Sequence, residues 1–546
     1  MRYASVAGRN WMMAGAVSAL HPGGASLVHA PVDDGGGVAF RGYVLGSNLH
    51  SCSASERILR YWQRDALAEH NGVYSAAVIS PNGETLVLSA DLFGMSPVYW
   101  ARIGDAVIWS TNARYLVTAH AEPDRLAWRC LLETGFIAAD RSLTRGVERL
   151  PAGKALRASR AGIELVTQYD YERMPAGTRS LDAGGIRDVE LLFQTVMDRC
   201  LAVQDGELVL PLSSGHDSRR MLASLIDRCV SFDAVTCRVF HRGRDLDATY
   251  AAQMARDLGF PHRVVEPPPP ARYAAYDVAR RRLLDNETFA HTWALMLNDG
   301  LPARPCTLLD GLAGDILGNP GFRISTLYRT PREDVETMID ASVTDAFRRV
   351  LPSARWPGAD DVRQLLRDYL GTLPQRVNLA EFAFILLRIR RSTALQALPF
   401  LPPGALVLFP FLDLDYVRLL FEFVPNDKHK TILQRRCLAD FWPDYYKYPG
   451  TRDVPADATA RPDDDDRETT LLCFDAVMKE IEARGGVADV RALLSLRGTL
   501  GFEAARRSRA AALRANWYCA PLTELVAREL TREPCWESVE DATNGT

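Results

Sequence analysis

The chain of 546 residues holds 10 cysteines and not one C-x-x-C pair, which argues against zinc ribbons and redox dithiols. Its thiols, Cys52, Cys130, Cys200, Cys229, Cys237, Cys306, Cys437, Cys473, Cys519 and Cys535, are scattered along the chain. They read as reduced residues, mostly filling cores. There is no G-x-x-x-x-G-K-[ST], so a Walker A loop is excluded. No apolar run reaches the length of a membrane span. Positive charge is not in excess: 64 Lys and Arg face 68 Asp and Glu, for a net charge of −4. That balance gives no footprint for nucleic acid. The apolar stretch 11–20 follows Arg2 and Arg9 but lacks a small-residue cleavage site, so it reads as a turn after a buried element. No internal repeat is visible. These absences leave a cytoplasmic globular protein with neither nucleic acid nor membrane as partner, long enough for two or more full cores.

What is present centres on Glu207-Leu-Val-Leu-Pro-Leu-Ser-Ser-Gly-His-Asp-Ser-Arg-Arg-Met-Leu222. An apolar run predicts a buried parallel strand, and Ser213-Ser214-Gly215 predicts a tight turn. From Asp217 the period becomes helical, with Met221, Leu222, Leu225 and Ile226 on one face. A strand, a small-residue turn and a helix N-terminus make an anion site, because unpaired N–H groups and the helix dipole point at the bound group. The hydroxyls of Ser213 and Ser218 add donors. Asp217 is a hard oxygen ligand suited to Mg²⁺.

Upstream, Gly72–Ser80 and Glu84–Ala90 flank Pro81-Asn82-Gly83, a hairpin signal. A helix start is expected after Ser110 and a closing turn at Pro151–Gly153. Downstream, Phe232–Arg238 predicts a second parallel strand, and a second glycine-rich turn occupies Leu308-Leu-Asp-Gly-Leu-Ala-Gly-Asp-Ile-Leu-Gly318. The stretch Thr451–Thr470, with its run Asp463–Asp466, predicts a mobile loop, and residues 471–532 return to helical periodicity.

In order, these segments resemble the type B asparagine synthetases and their relatives. Leu212–Ser218 is similar to the family's pyrophosphate loop S-G-G-x-D-S, with Ser214 standing where glycine is usual. Asp91-Leu-Phe-Gly-Met-Ser-Pro-Val-Tyr-Trp100, Ser110–Leu116 and Gly146-Val-Glu-Arg-Leu-Pro-Ala-Gly153 resemble three N-terminal motifs of that family. Asp247 to His262, Leu308–Gly318 and Pro410-Phe-Leu-Asp413 resemble three C-terminal ones. The likeness covers about residues 25 to 450. It implies an α/β protein. Residues 1–175 would form a degenerate glutaminase-like αββα sandwich of the N-terminal-nucleophile (Ntn) type. Residues 176–546 would form an ATP-pyrophosphatase domain, a parallel sheet flanked by helices.

The resemblance further implies ATP and Mg²⁺ as cofactors. Leu212, Ser213, Ser214, Gly215, Asp217, Ser218 and Gly311 would bind the nucleotide, and Asp217 with Asp315 would hold the metal. Lys447 would serve the α-phosphate, with Arg452 as a competing choice. A glutaminase of this type uses an N-terminal cysteine. The chain here starts Met1-Arg2, and Cys52 would serve only after removal of all that precedes it. The domain is therefore expected to be inert toward glutamine. Leu312 stands where asparagine synthetases carry Glu and β-lactam synthetase Tyr, so ammonia chemistry loses support. The expectation is an AMP-forming carbon–nitrogen ligase that closes a carboxylate onto an amine. A lasso-peptide cyclase is favoured over a β-lactam synthetase-like small-molecule cyclase or an ammonia-dependent asparagine synthetase. Its substrate would be a peptide or small-molecule carboxylate, with a protease or precursor-recognition protein as partner. A tRNA-modifying enzyme and an inactive scaffold are weaker alternatives. His216 is expected at the solvent. Arg219, Arg220, Arg388, Arg390 and Arg391 are candidate anion holders, with solvated helix faces as the default reading.

Overall fold

The computed structural model describes residues 2–8, 11–17, 28–31, 37–45, 71–80, 84–104, 106–117, 121–238, 246–288, 292–302, 304–317, 335–343, 345–394, 405–450 and 464–531. Its N-terminal part is built from strands β1 (Arg2–Gly8), β2 (Trp11–Val17), β3 (Val28–Pro31), β4 (Gly37–Val44), β5 (Gly72–Ile79), β6 (Thr85–Ala90), β7 (Tyr99–Ile103), β8 (Ala106–Ser110), β9 (Val147–Arg149), β10 (Lys154–Ser159) and β11 (Gly162–Thr167). A six-stranded sheet runs β11-β10-β6-β5-β4-β3, and a three-stranded sheet runs β8-β7-β9. The expected hairpin is present, with β5 and β6 antiparallel from Ser75↔Ala90 to Ile79↔Leu86. Alternation buries Ala77, Ile79, Leu86, Leu88 and Leu156 against Val98 and Leu150, with Trp100 and Trp109 packed on them. The two sheets thus supply the inner layers of the expected sandwich. The helix Arg125–Thr134 does not form an outer layer on them: Trp128 packs on Trp356, ring centroids 6.0 Å apart, within a cluster that includes Phe474 and Leu522. The stretch 11–20 departs from expectation. Trp11–Val17 is β2, paired antiparallel with β1, because its apolar residues satisfy a ladder better than a turn.

The second part is organised on a five-stranded parallel sheet of β12 (Glu207–Pro211), β13 (Asp233–Cys237), β14 (His262–Val265), β15 (Cys306–Leu309) and β16 (Ala405–Leu408). The spatial order is β14-β13-β12-β15-β16, and all four pairings are parallel. Leu208, Val209 and Leu210 are buried, as a strand covered on both faces requires. Successive strands step outward from β12 to β14, and the chain then returns to β12's other side with β15. The crevice between the ends of β12 and β15 is therefore the switch point of this sheet, where open α/β sheets receive ligands.

Two further departures concern the expected loop and the arginines. The helix Asp464–Ala483 starts inside the expected mobile loop. Leu471, Phe474, Met478 and Ile481 recur at helical spacing and are buried, and acidic residues in the first turn suit the helix dipole. Residues 451–463 lie outside the described residues. Arg219, Arg220, Arg390 and Arg391 are not solvated: each is fully buried. Arg220 shows why, pairing with Glu190 at 2.9 Å while Phe193 lies under its guanidinium at 4.2 Å. A buried charge persists where a partner and a ring offset its lost hydration. Among the described residues no helix is long and apolar enough to cross a membrane.

Candidate functional site

At the end of β12 the turn forms as its residue types require. The helix His216–Asp227 starts at Gly215, which supplies no side-chain cap, so first-turn N–H groups are left to a ligand or solvent. Ser214 is fully buried, and its amide and hydroxyl both donate to Asp247 Oδ1, at 2.8 and 2.6 Å. This explains the departure from glycine. Ser214 is not among the residues with positive φ, so the backbone strain that a serine there would cost is absent. Asp247, on the helix Leu246–Leu258, instead anchors the turn. Ser213 and Ser218 hydroxyls lie 3.0 Å apart, the Gly215 amide donates to Ser213 Oγ at 3.1 Å, and the Ser213 amide donates to Ser218 Oγ at 3.2 Å. Binding an anion in this turn exchanges those internal bonds for bonds to the ligand. Leu212 is a buried strand-end residue whose amide donates to Val235 O at 2.8 Å, so it shapes the turn from beneath.

The second turn leaves β15 beside the first. A Cβ placed on Gly314 would stand 2.5 Å from Asp217 Cγ and 2.8 and 2.9 Å from its two oxygens; one placed on Gly311 would stand 3.6 Å from Asp217 Cβ. The glycines of one loop therefore receive the aspartate of the other, and only a residue without Cβ permits the closer approach. Asp315 follows Gly314 in the first turn of the helix Gly314–Leu317. Two carboxylates from two loops thus come to one crevice. Among the described residues no group of three or more His, Cys, Asp or Glu gathers as a metal cluster. A pair suits Mg²⁺, which takes one or two protein carboxylates and completes its shell with phosphate and water.

Three residues at this second turn were not singled out by the sequence. Asp310, partly exposed at the end of β15, accepts from the Leu312 amide at 2.8 Å; burial among its neighbours pushes its carboxyl up to about 6, against the pull of that amide. Its signal was a carboxylate on a strand end next to the glycine turn. Ala313 takes φ 73, a left-handed conformation that costs a non-glycine residue about 1 kcal/mol. It falls at the second glycine of the motif S-G-x-G-x-D, so the backbone shape outlasts the residue that favours it. Gln434 donates its side-chain amide to Gly314 O, fixing the turn from the helix Ile432–Phe441. No sequence pattern marks it.

Lys447 is placed differently. It caps the short helix Pro443–Tyr446, its Nζ lies 4.0 Å from Asp444 and its side chain is 56% exposed. The segment itself is tied to the first loop's helix, because Arg219 donates to the carbonyls of Tyr445 and Tyr448. Lys447 is thus held on an element that touches this helix, while its ammonium faces Asp444 and the Tyr448 ring. Arg452 and Cys52 lie outside the described residues. His216 is half-buried rather than open to solvent, since it lies in the first turn beside the second loop.

Comparison with known proteins gives one family match. Residues 43–171 match the model of the glutamine amidotransferase domain. That region holds the β5–β6 hairpin and both facing sheets, so this part of the chain is an amidotransferase-type domain. No curated protein matches the chain. Among solved structures it is similar to one titled as the allosteric regulatory enzyme of purine biosynthesis, at 11% identity over 45% of this chain and 63% of the other, with a TM-score of 0.19. It is also similar to glutamine phosphoribosylpyrophosphate amidotransferase from B. subtilis complexed with ADP and GMP, at 12% identity over 50% and 64% of the two chains, with a TM-score of 0.20. The chain spans under two thirds of either protein, and TM-scores this low carry no statement about fold or activity.

Proposed function

We propose that this protein is an ATP-dependent, AMP-forming carbon–nitrogen ligase that activates a substrate carboxylate and joins it to an amine. The observation that carries this reading is the meeting of Asp217 with the Gly311–Asp315 turn at the switch point of the parallel sheet. In this reading the turn 213–215 and the first turn of the helix after it take the pyrophosphate end of ATP. Asp217 and Asp315 hold Mg²⁺, which, when bound, neutralises charge building on the phosphates. A substrate carboxylate oxygen attacks the α-phosphorus, the bond to the pyrophosphate oxygen breaks, and an acyl-adenylate forms. The amine nitrogen then attacks the acyl carbon, AMP leaves, and the nitrogen gives up its proton. Lys447 or Arg452 serves the α-phosphate once ligand closes the segment that carries them.

Within this class the reading favours an intramolecular cyclase, with a lasso-type peptide ahead of a small β-lactam-like ring. Leu312 supports it, since leucine neither accepts a proton nor binds ammonium. Phosphorus NMR of full-length protein with MgATP and the peptide encoded beside its gene tests the ligase. AMP and pyrophosphate are expected, and ADP as product would overturn it. A short precursor peptide and a protease encoded alongside would support the cyclase.

A second reading, glutamine-dependent amidation, is favoured by the matched amidotransferase domain. Its requirement is a reactive thiol. Cys130 is fully buried, and burial pushes its thiol up to about 11, so it cannot serve. Glutamate release from glutamine by the purified chain separates the two readings.

A further inference from the structure

The chain between Leu379 and Thr393 starts as an α-helix and widens into a π-helix over Phe384–Thr393. π-Turns are less stable than α-turns and gather at functional positions. This one carries three arginines, and two are accounted for. Arg390 pairs with Asp140 at 3.1 Å and donates to Leu150 O. Arg391 lies 3.5 Å from Glu287 and donates to Arg141 O at 2.7 Å. Both tie the segment to the N-terminal domain.

Arg388 is different. It is partly buried, and its Nη1 is sealed from solvent with no hydrogen-bond partner. Among the described residues no carboxylate pairs with it, and burial alone pushes the guanidinium below its ordinary range. An orphaned buried N–H costs about 1–3 kcal/mol, and an unpaired buried charge costs more. The neighbouring positions Phe384, Ile385, Leu386, Leu387 and Ile389 are apolar and buried, so leucine or methionine would remove that cost at this site. A guanidinium held in this state is a receptor for an anion that the chain does not itself supply.

We propose that Arg388 is one wall of an oxyanion site at the junction of the two domains, taking a carboxylate or a phosphoryl group. The planar fork offers two parallel N–H donors to two oxygens of one group, which a lysine cannot match. The inference is independent of the proposed ligase chemistry, although a substrate carboxylate or a nucleotide phosphate would each satisfy it.

The test uses full-length protein and compares thermal midpoints in sodium phosphate and in sodium acetate, each against sodium chloride at matched ionic strength. Wild type is expected to rise saturably with the fitting anion. Arg388→Met is expected to start at or above the anion-free wild-type midpoint, because an uncompensated charge has been replaced by an apolar side chain of similar length, and to lose that rise. A response to phosphate alone assigns a phosphoryl ligand, and a response to acetate alone a carboxylate. An Arg388→Met protein that responds as wild type does, or a wild type that responds to neither anion, overturns the proposal. If Arg388→Met does not fold, Arg388→Lys decides. Loss of the fork should raise the half-saturating concentration by about tenfold or more, and an unchanged value overturns the assignment.

Discussion

Gly314→Ala puts the candidate metal site under the most direct test. Alanine brings one methyl group, and the geometry states where it goes: 2.5 Å from Asp217 Cγ and 2.8 and 2.9 Å from the carboxylate oxygens. Van der Waals contact needs about 3.5 Å, so the Asp217 carboxylate must retreat by roughly 1 Å or turn away. The backbone raises no objection, since Gly314 is not among the glycines with positive φ, and alanine in a helix is favoured over glycine by about 1 kcal/mol. The fold should therefore survive with its thermal midpoint close to wild type. Loss of one carboxylate's bond to a charged ligand is worth about 1.5–3 kcal/mol, or roughly a 10- to 150-fold weaker MgATP affinity. Calorimetric titration of full-length protein with MgATP measures it. Gly311→Ala is the comparison: its methyl meets Met221 Cε at 3.5 Å and Asp217 Cβ at 3.6 Å, ordinary contacts that leave Asp217 where it is. Any loss there would come from contact with the ligand itself. A Gly314→Ala protein that is stable and binds MgATP as wild type does would show that Asp217 has no part in holding the nucleotide.

Asp217→Asn and Asp315→Asn should each lower substrate-dependent pyrophosphate release by about 10²–10⁴ while leaving the thermal midpoint unchanged. The double variant should be little worse, since ligands of one ion act as a unit; near-normal turnover by Asp315→Asn would reduce the second loop to a plain turn. Purified protein should release no glutamate from glutamine, and steady release that persists in Cys52→Ala would refute this. Stability should also depend on Asp91, buried under the turn 91–96 and accepting from the amides of Phe93, Met95 and Ser96. Burial pushes its carboxyl up to about 6, outweighing those amides and Arg149. The folded-state value lies above the unfolded value of about 3.9, so the folded protein holds this proton more tightly. That contribution, about 2–3 kcal/mol, is complete below about pH 4 and is lost as pH rises through about 6. Urea midpoints across this range should fall in wild type and flatten in Asp91→Asn, and equal slopes in both would exclude Asp91 as the source.

The parts of the molecule legible in the sequence are those set by neighbours along the chain. The hairpin of β5 and β6, the strand–turn–helix from Glu207 and the second parallel strand at Asp233 each follow from a period and a turn residue within a dozen positions. The crevice was legible for the same reason, since each of its loops is a local glycine-rich turn at a strand end. The arginines were not. Whether Arg390 lies in water or in the core depends on Asp140, 250 residues away. Arg528 likewise depends on Asp285, which holds it at 2.6 Å across 243 residues. No pattern around either arginine encodes the acid that receives it, so a rule about exposed helix faces gives the wrong side for both. Ser214 fails differently: the turn predicts glycine only if its backbone must be left-handed, and Asp247 holds it in a conformation that serine tolerates. The long-range partners decide the electrostatics. For the same reason Arg388 stands apart, because the pairing that accounts for the other arginines of its segment has no counterpart for it among the described residues, and the missing acceptor has to arrive with a ligand.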